Sequence, residues 1–205
     1  MTKLWTIGSL LQWTQQYFSQ KGIDSPRLDA EILLSHVLQK ERIYLYAHYD
    51  EPMNPKELAA YREMVKQRAG RLSVAHILGI KAFMGLDFHV STDVLIPRPE
   101  TEMLVETVAD MTEKNKPVSI LDVGTGSGAI LVSLLHYLPQ AVGTGADISP
   151  KALEIARENG KKLGVDARVQ WQESDLFSNL ADKTFDWIVS NPPYLTAADM
   201  QQLQP

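Results

Sequence analysis

The sequence predicts an α/β protein in which a small helical domain precedes an open parallel sheet, and three observations carry that prediction. Apolar residues at helical spacing fill the first third of the chain. Further on, short apolar runs alternate with helical stretches, the pattern of a parallel sheet. One of these runs, Val118-Ser119-Ile120-Leu121-Asp122-Val123, opens directly into Gly124-Thr125-Gly126-Ser127-Gly128-Ala129. The expected organisation is a helical domain over residues 1–75, a β-hairpin and linker over 76–98, and an α/β domain over 99–205.

In the helical domain, Leu4 to Phe18, Leu28 to Leu38, Arg42 to Tyr49 and Lys56 to Ala69 carry the helical spacing, and Pro26, Pro52 and Pro55 mark boundaries. Its aromatics Trp5, Trp13, Tyr17, Phe18, Tyr44 and Tyr46 are expected in the core, because aromatic side chains dominate cores. Lys81 to Val90 alternates weakly around a Gly-Leu-Asp break at Gly85 to Asp87, which predicts a hairpin. Pro97 and Pro99 then stiffen the approach to a helix starting near Pro99. Glu100 and Glu102 fall in its first turn, where carboxylates favour the helix dipole. The apolar Leu95-Ile96 pair just before it is a candidate wall over a ligand.

After the glycines, Ile130 to Tyr137 reads as a helix, Ala141 to Ala146 as a second strand ending at Asp147, and Lys151 to Leu163 as a helix. Asp147-Ile148-Ser149-Pro150 has the residues of a helix cap. A third strand around Arg168 to Gln172 leads to Ser174-Asp175-Leu176-Phe177, and a fourth, Trp187-Ile188-Val189-Ser190, leads to Asn191-Pro192-Pro193-Tyr194. Open α/β sheets bind ligands at the carboxyl ends of their strands, where the Gly loop and three carboxylates all fall. The candidate cofactor residues are therefore Asp122, Gly124, Thr125, Gly126, Ser127, Gly128, Asp147, Ile148, Asp175, Leu176 and Asn191.

The loop spacing alone fits either a dinucleotide or another adenosine cofactor, since Gly124, Gly126 and Ala129 occupy the three fingerprint places. Asp147, about 20 residues beyond, is placed for ribose hydroxyls in both cases. Asp122 argues against a pyrophosphate and suits a ligand carrying an ammonium group, such as the methionine part of S-adenosyl-L-methionine.

Asn191-Pro192-Pro193-Tyr194 makes an acceptor site for a planar NH2 group. The nitrogen of an amide or aromatic amine is a poor nucleophile because its lone pair is delocalised. Two hydrogen-bond acceptors, the Asn191 side-chain oxygen and the Pro192 carbonyl, can hold such a group with its lone pair aimed at a methyl donor. Consecutive prolines fix two φ angles and bias Asn191 towards an extended conformation, and Tyr194 can cover the flat face. The plain alternative is a Pro-rich turn at a strand end.

Taken together, Val94-Leu95-Ile96-Pro97-Arg98-Pro99-Glu100-Thr101-Glu102, the Asp122 to Ala129 segment, Asn191-Pro192-Pro193-Tyr194 and the N-terminal Pro26 to Leu34 stretch resemble the protein-(glutamine-N5) methyltransferases of the PrmC/HemK family. The resemblance implies a Rossmann-like S-adenosylmethionine-dependent methyltransferase domain and a helical substrate-recognition domain. It implies methylation of the Gln in the Gly-Gly-Gln loop of class I peptide-chain release factors. Asn191 and Pro192 would bind that amide beside Tyr194. Gly124 to Gly128, Asp147, Leu176 and Asn191 would contact the cofactor, Leu176 only through apolar contact. Such a sheet has about seven strands, and this chain supplies four before Gln201-Gln202-Leu203-Gln204-Pro205. The domain is thus expected to be truncated after its fourth strand, with the Asn191 strand left as an edge and with weak or absent turnover.

Composition bounds the rest. The 205 residues are 44% hydrophobic and carry a net charge of -5 without long runs, giving no basic stripe for a nucleic-acid backbone. There is no cysteine, hence no thiolate metal site or thiol nucleophile, and the five histidines lack metal-ligand spacing, so no metal is expected. No secretory signal or membrane span is apparent, and the expected location is cytoplasmic. Four other readings stay open: a ribosomal-protein glutamine methyltransferase, a nucleic-acid exocyclic-amine methyltransferase, a non-catalytic interaction module and an NAD oxidoreductase.

Overall fold

The computed structural model describes residues 4–180 and 183–192, and it divides into two compact units, one ending at Leu78 and the other beginning at Gly79.

The first unit holds α1 (Ile7–Gln20), α2 (Pro26–Leu38), α3 (Arg42–Ala47), α4 (Pro55–Ala69) and α5 (Val74–Leu78). Two capping boxes start its longest helices. Thr6 and Ser9 exchange side-chain and backbone bonds at α1, and Asn54 and Glu57 do so at α4. Pro26 and Pro55 sit in the first turns of α2 and α4, where the missing N–H costs nothing. The core joins Ile7, Leu10, Phe18, Leu33, Leu34, Leu45, Tyr61 and Val65. Of the six aromatics expected in the core, only Phe18 is fully buried. Trp13 and Tyr46 are 45% and 44% exposed, and Trp5, Tyr17 and Tyr44 are partly exposed. The helical spacing places them on the flanks of the buried stripe, where Trp13 stacks on Tyr17 at 5.2 Å and meets Trp5 edge-on at 6.1 Å.

A charged cluster on this unit centres on Glu31, which is 2% exposed and accepts from Arg27, Arg42 and the Tyr46 hydroxyl. Burial, the largest influence, opposes ionisation of Glu31. The Tyr46, Arg27 and Arg42 bonds together overcome it and hold the carboxyl below its ordinary range.

The second unit opens with an antiparallel hairpin, β1 (Ile80–Phe83) and β2 (Leu86–His89), closed by Met84 and Gly85, both in the left-handed region. A 3-10 turn at Pro99–Thr101 leads into α6 (Glu102–Met111). There follow β3 (Ser119–Val123), α7 (Ala129–Tyr137), β4 (Val142–Asp147), α8 (Pro150–Lys162), β5 (Val169–Glu173) and β6 (Trp187–Ser190). The four strands β3 to β6 form a parallel sheet of order β5-β4-β3-β6. Its core is Ile120, Leu131, Leu134, Leu135 and Val189 with Phe83, Phe88, Val105 and Val108, and a smaller cluster joins Leu121, Val123, Ala146 and Leu180. Gly143 and Gly145 of β4 let Leu131 and Trp171 approach, since a Cβ there would lie 2.5 Å and 2.6 Å from those side chains.

Among the described residues β6 pairs only with β3 and so forms one edge of the sheet, with Ile188 57% exposed. Glu102 departs from its expected role. Rather than serving only the helix dipole, its Oε1 accepts from the Met84 amide at 2.7 Å and pins the hairpin turn, with the Tyr137 hydroxyl donating to the Met84 carbonyl. No described helix is long and apolar enough to cross a membrane.

Candidate functional site

The candidate residues converge on the carboxyl ends of β3, β4, β5 and β6. The register pairs Val123 of β3 with Ser190 of β6, so Gly124 and Asn191 each follow that pair on adjacent strands. On the other side, Val123 pairs with Ala146, which brings the Gly loop beside Asp147. Asp147 in turn pairs with Glu173 of β5, just ahead of Asp175 and Leu176. Pro193 and Tyr194 lie outside the described residues.

The loop is wired by its own backbone. The Gly124 and Thr125 amides both donate to the Ala146 carbonyl, at 2.8 Å and 2.9 Å, and the Gly128 amide donates to the Thr125 carbonyl at 2.8 Å. The Gly126 amide donates to Asp147 Oδ2 at 2.9 Å, while Asp147 Oδ1 accepts from the Ser149 amide. Gly126 and Gly128 have φ of +55° and +77°, which a side chain would strain. At Gly128 a Cβ would also press on Ala156 at 3.1 Å, whereas at Gly124 and Gly126 it would meet no described atom within 4 Å. The amides of Gly124, Thr125, Gly126 and Gly128 are thus already spent within the protein. A loop with its donors committed is poorly suited to a pyrophosphate, which needs them. Its open backbone suits an adenosine ligand that is not held by phosphates.

Asp122 is the fourth residue of β3 and is fully buried. The Thr125 hydroxyl donates to its Oδ2 at 2.7 Å, and Oδ1 has no hydrogen-bond partner among the described residues. Burial pushes this carboxyl up to about 6, with the Thr125 hydroxyl and the nearby Leu131 amide opposing and the Asp147 charge adding. It therefore does not sit open at the strand end as the sequence suggested. It lies beneath the loop, an acceptor with unused capacity.

Past β4 and β5, Ile148, Leu176 and Phe177 are 66%, 64% and 51% exposed, apolar surface flanking the loop's far side. Leu176 has φ of +48°, and its carbonyl accepts from the Ser174 hydroxyl, which also takes the Asn179 amide. A left-handed leucine costs about 1–2 kcal/mol, and the Ser174 bonds help to hold it. S-adenosylmethionine fits this set: Asp147 keeps lone pairs for hydroxyls, and the exposed apolar residues suit a flat base.

On the acceptor side, Asn191 is partly buried and its Nδ2 donates to the Thr101 hydroxyl at 3.0 Å. Ser190 Oγ donates to the Val123 carbonyl at 2.7 Å, fastening the end of β6 to β3. Pro192 is exposed.

Two further contacts near these residues escaped the sequence reading. Thr101 lies in the Pro97 to Glu102 segment, but its partner is 90 residues away. Asn159 of α8 is fully buried. Its Oδ1 accepts from the His89 amide at 2.7 Å, and its Nδ2 donates to the carbonyls of His89 and of Ser127 in the loop. The one local signal was an amide residue on the apolar face of an amphipathic helix. Among the described residues no cluster of His, Asp and Glu could hold a metal ion. A groove of about 430 Å3 lined by Trp5, Trp13, Tyr17 and Arg62 belongs to the helical unit and contains none of the strand-end residues.

Comparison with known proteins sets this geometry in a family. Residues 9–79 match the PrmC N-terminal domain model, and residues 99–203 match the methyltransferase small domain model. The release factor glutamine methyltransferase of Geobacter sulfurreducens is 45% identical over 203 residues, covering 99% of this chain and 70% of that one. Those of Rhodopirellula baltica and Chlorobaculum tepidum are each 42% identical, covering 97% and 98% of this chain and 69% and 72% of theirs. The chain thus spans about seven tenths of the length of these relatives. With both halves matched in order and the alignment to these relatives spanning nearly the whole chain, the chain belongs to the release factor glutamine methyltransferase family.

Proposed function

We infer that this chain carries the cofactor and acceptor sites of an S-adenosylmethionine-dependent methyltransferase that acts on the side-chain amide nitrogen of a glutamine, the substrate being a class I peptide-chain release factor. The carrying observation is the register of β3 with β6, which sets Asn191 and the Gly124 loop side by side, one strand spacing apart.

The cofactor supplies an electrophilic methyl group on a sulfonium. The chain's residues do the rest by position. Gly124, Gly126 and Asp147 offer an open backbone and a carboxylate to the adenosine part, and Ile148 and Leu176 offer apolar surface to the base. Asn191 Oδ1 and the Pro192 carbonyl each accept one N–H of the substrate amide, which fixes the plane of that group and turns the nitrogen lone pair towards the methyl. The nitrogen loses its proton after transfer, so the site needs no strong base. Holding the two reactants in this way accounts for the catalysis through orientation.

The helical unit supports the same reading through its uncovered aromatics. Trp13 and Tyr17 present a stacked pair beside Trp5 with Arg62 and Lys66 on the rim, a surface able to grip a protein substrate. A cytoplasmic location follows from a substrate in translation.

The test is incorporation of labelled methyl from S-adenosylmethionine into a release factor and into its Gln→Ala loop variant, using the complete natural chain. Label in the wild-type factor alone supports the reading. Label in neither, with cofactor binding intact, directs attention to a ribosomal-protein glutamine or a nucleic-acid amine instead.

A further inference from the structure

We propose that Thr101 is a positioning residue that sets the sense of the Asn191 carboxamide; the proposal rests on the acceptor reading of Asn191 given above. A carboxamide is almost symmetric in shape but opposite in chemistry at its two ends, one an acceptor and the other a double donor. For a substrate that itself brings an NH2 group, only one sense works. With Oδ1 forward, the substrate N–H has an acceptor. With Nδ2 forward, donor faces donor and the substrate amide is turned away. A site built on asparagine therefore needs something that distinguishes the two senses, and an acceptor on the Nδ2 side does so.

Thr101 occupies that place. Its Oγ1 lies 3.0 Å from Asn191 Nδ2 and accepts from it. The ordinary duty of a threonine before a helix is to cap it, and Thr101 precedes α6, yet its side chain makes no cap bond there. The hydroxyl is turned to Asn191 instead. The backbone that presents it is stiff. Pro97 is buried, Pro99 opens the 3-10 turn, the Thr101 amide donates to the Arg98 carbonyl at 3.0 Å, and the adjacent Glu102 is tied to the Met84 amide. Thus the Pro-Arg-Pro-Glu-Thr-Glu segment reaches the acceptor through the Thr101 hydroxyl.

The experiment compares Thr101→Val, which keeps the branched shape and removes the hydroxyl, with Thr101→Ser, which keeps the hydroxyl, and with Asn191→Ala, all in the complete natural chain. Measured against a release factor at saturating cofactor, Thr101→Val is expected to lower kcat about tenfold, the scale of one positioning hydrogen bond in an oriented site. The KM for S-adenosylmethionine should stay within about twofold, and Thr101→Ser should hold kcat within about twofold of wild type. Rescue by Ser separates the hydroxyl from the packing of the side chain. A Thr101→Val enzyme with wild-type kcat, or a Thr101→Ser enzyme as impaired as the valine variant, would overturn the proposal while leaving the acceptor reading in place if Asn191→Ala is inactive. An active Asn191→Ala enzyme removes the acceptor reading and this proposal together.

Discussion

The two halves of the candidate site are held in opposite ways. On the cofactor side, the Gly124–Gly128 loop is fixed by bonds from Gly124, Thr125, Gly126 and Gly128 to Ala146, Asp147 and Thr125, all from its own or the neighbouring strand, and from beneath by Asn159. On the acceptor side, Asn191 follows a four-residue strand that pairs on one flank among the described residues, and two described side-chain bonds, from Ser190 and to Thr101, fasten it. The difference teaches where each half gets its precision. The cofactor loop is preorganised by the sheet itself, whereas the acceptor is aimed by individual side chains, so single substitutions should act differently on the two.

The sharpest contrast is expected from Asn191→Ala. Losing one of two acceptors that hold the reacting amide should cut the methyl-transfer rate about 10²–10³-fold, or about 3–4 kcal/mol, as removal of a single preorganised polar group does elsewhere. Cofactor affinity by calorimetry should change little, because the loop amides of Gly124, Thr125, Gly126 and Gly128 donate to Ala146, Asp147 and Thr125. An equal loss of both quantities would dissolve the distinction between the halves.

How much of this was legible in the sequence follows the same division. Strand β6 was read as Trp187–Ser190 and found there, and β3, β4 and β5 were placed to within a residue or two; β3 is a buried, mostly apolar run that opens into glycine, and the others follow from their β-forming residues between turn signals. Helices α2 and α4 were likewise legible from spacing and proline. What the sequence hid were contacts across distance. Thr101 with Asn191, Asn159 with His89 and Ser127, and Glu102 with Met84 join residues that only the folded sheet brings together. The short α5 was missed because five residues carry too little period. The outward aromatics of the helical unit were misplaced because composition alone does not separate the flank of an apolar stripe from its centre. Committed amides also lie beyond a motif: the Gly-rich spacing reads alike whether its N–H groups face a ligand or a neighbouring strand.

A second test probes the cofactor side through pH. Burial raises Asp122 to about 6 from an ordinary value of 3.8, so the folded form holds the proton more tightly than the unfolded form. Stability from this group is therefore greatest below about 3.8 and falls as pH rises towards about 6, by up to about 3 kcal/mol over the window. Asp122→Asn cannot ionise and should lose that fall. The difference between the two proteins in urea-unfolding stability, followed from pH 4 to 7, should change by roughly that amount. A difference that stays constant with pH would mean that the carboxyl is not desolvated beneath the loop.

Asp147→Ala should be next in size. It deletes the acceptor of the Gly126 and Ser149 amides, and charge-assisted bonds of this kind are worth about 1.5–3 kcal/mol each with partial recovery from water. We expect cofactor affinity to weaken by about 30-fold, roughly 2 kcal/mol, with kcat at saturating cofactor close to wild type. A lowered kcat with unchanged affinity would show that Asp147 serves the acceptor half.

The smallest effect should come from Ser190→Ala, and it asks what the bond at the end of the acceptor strand contributes. Ser190 Oγ donates to the Val123 carbonyl at 2.7 Å, and Val123 is the last residue of β3 before the loop. The bond lies at a partly exposed strand end, where water can replace it, so overall stability should fall by no more than about 1 kcal/mol. Its consequence for rate should be larger than for affinity, because the bond fixes the end of the strand that carries Asn191 and leaves the loop amides untouched. A kcat lowered about threefold with cofactor affinity unchanged would match that asymmetry. Weakened cofactor affinity with normal kcat would instead mean that β6 supports β3 rather than the reverse, and the acceptor strand would then be a buttress of the loop.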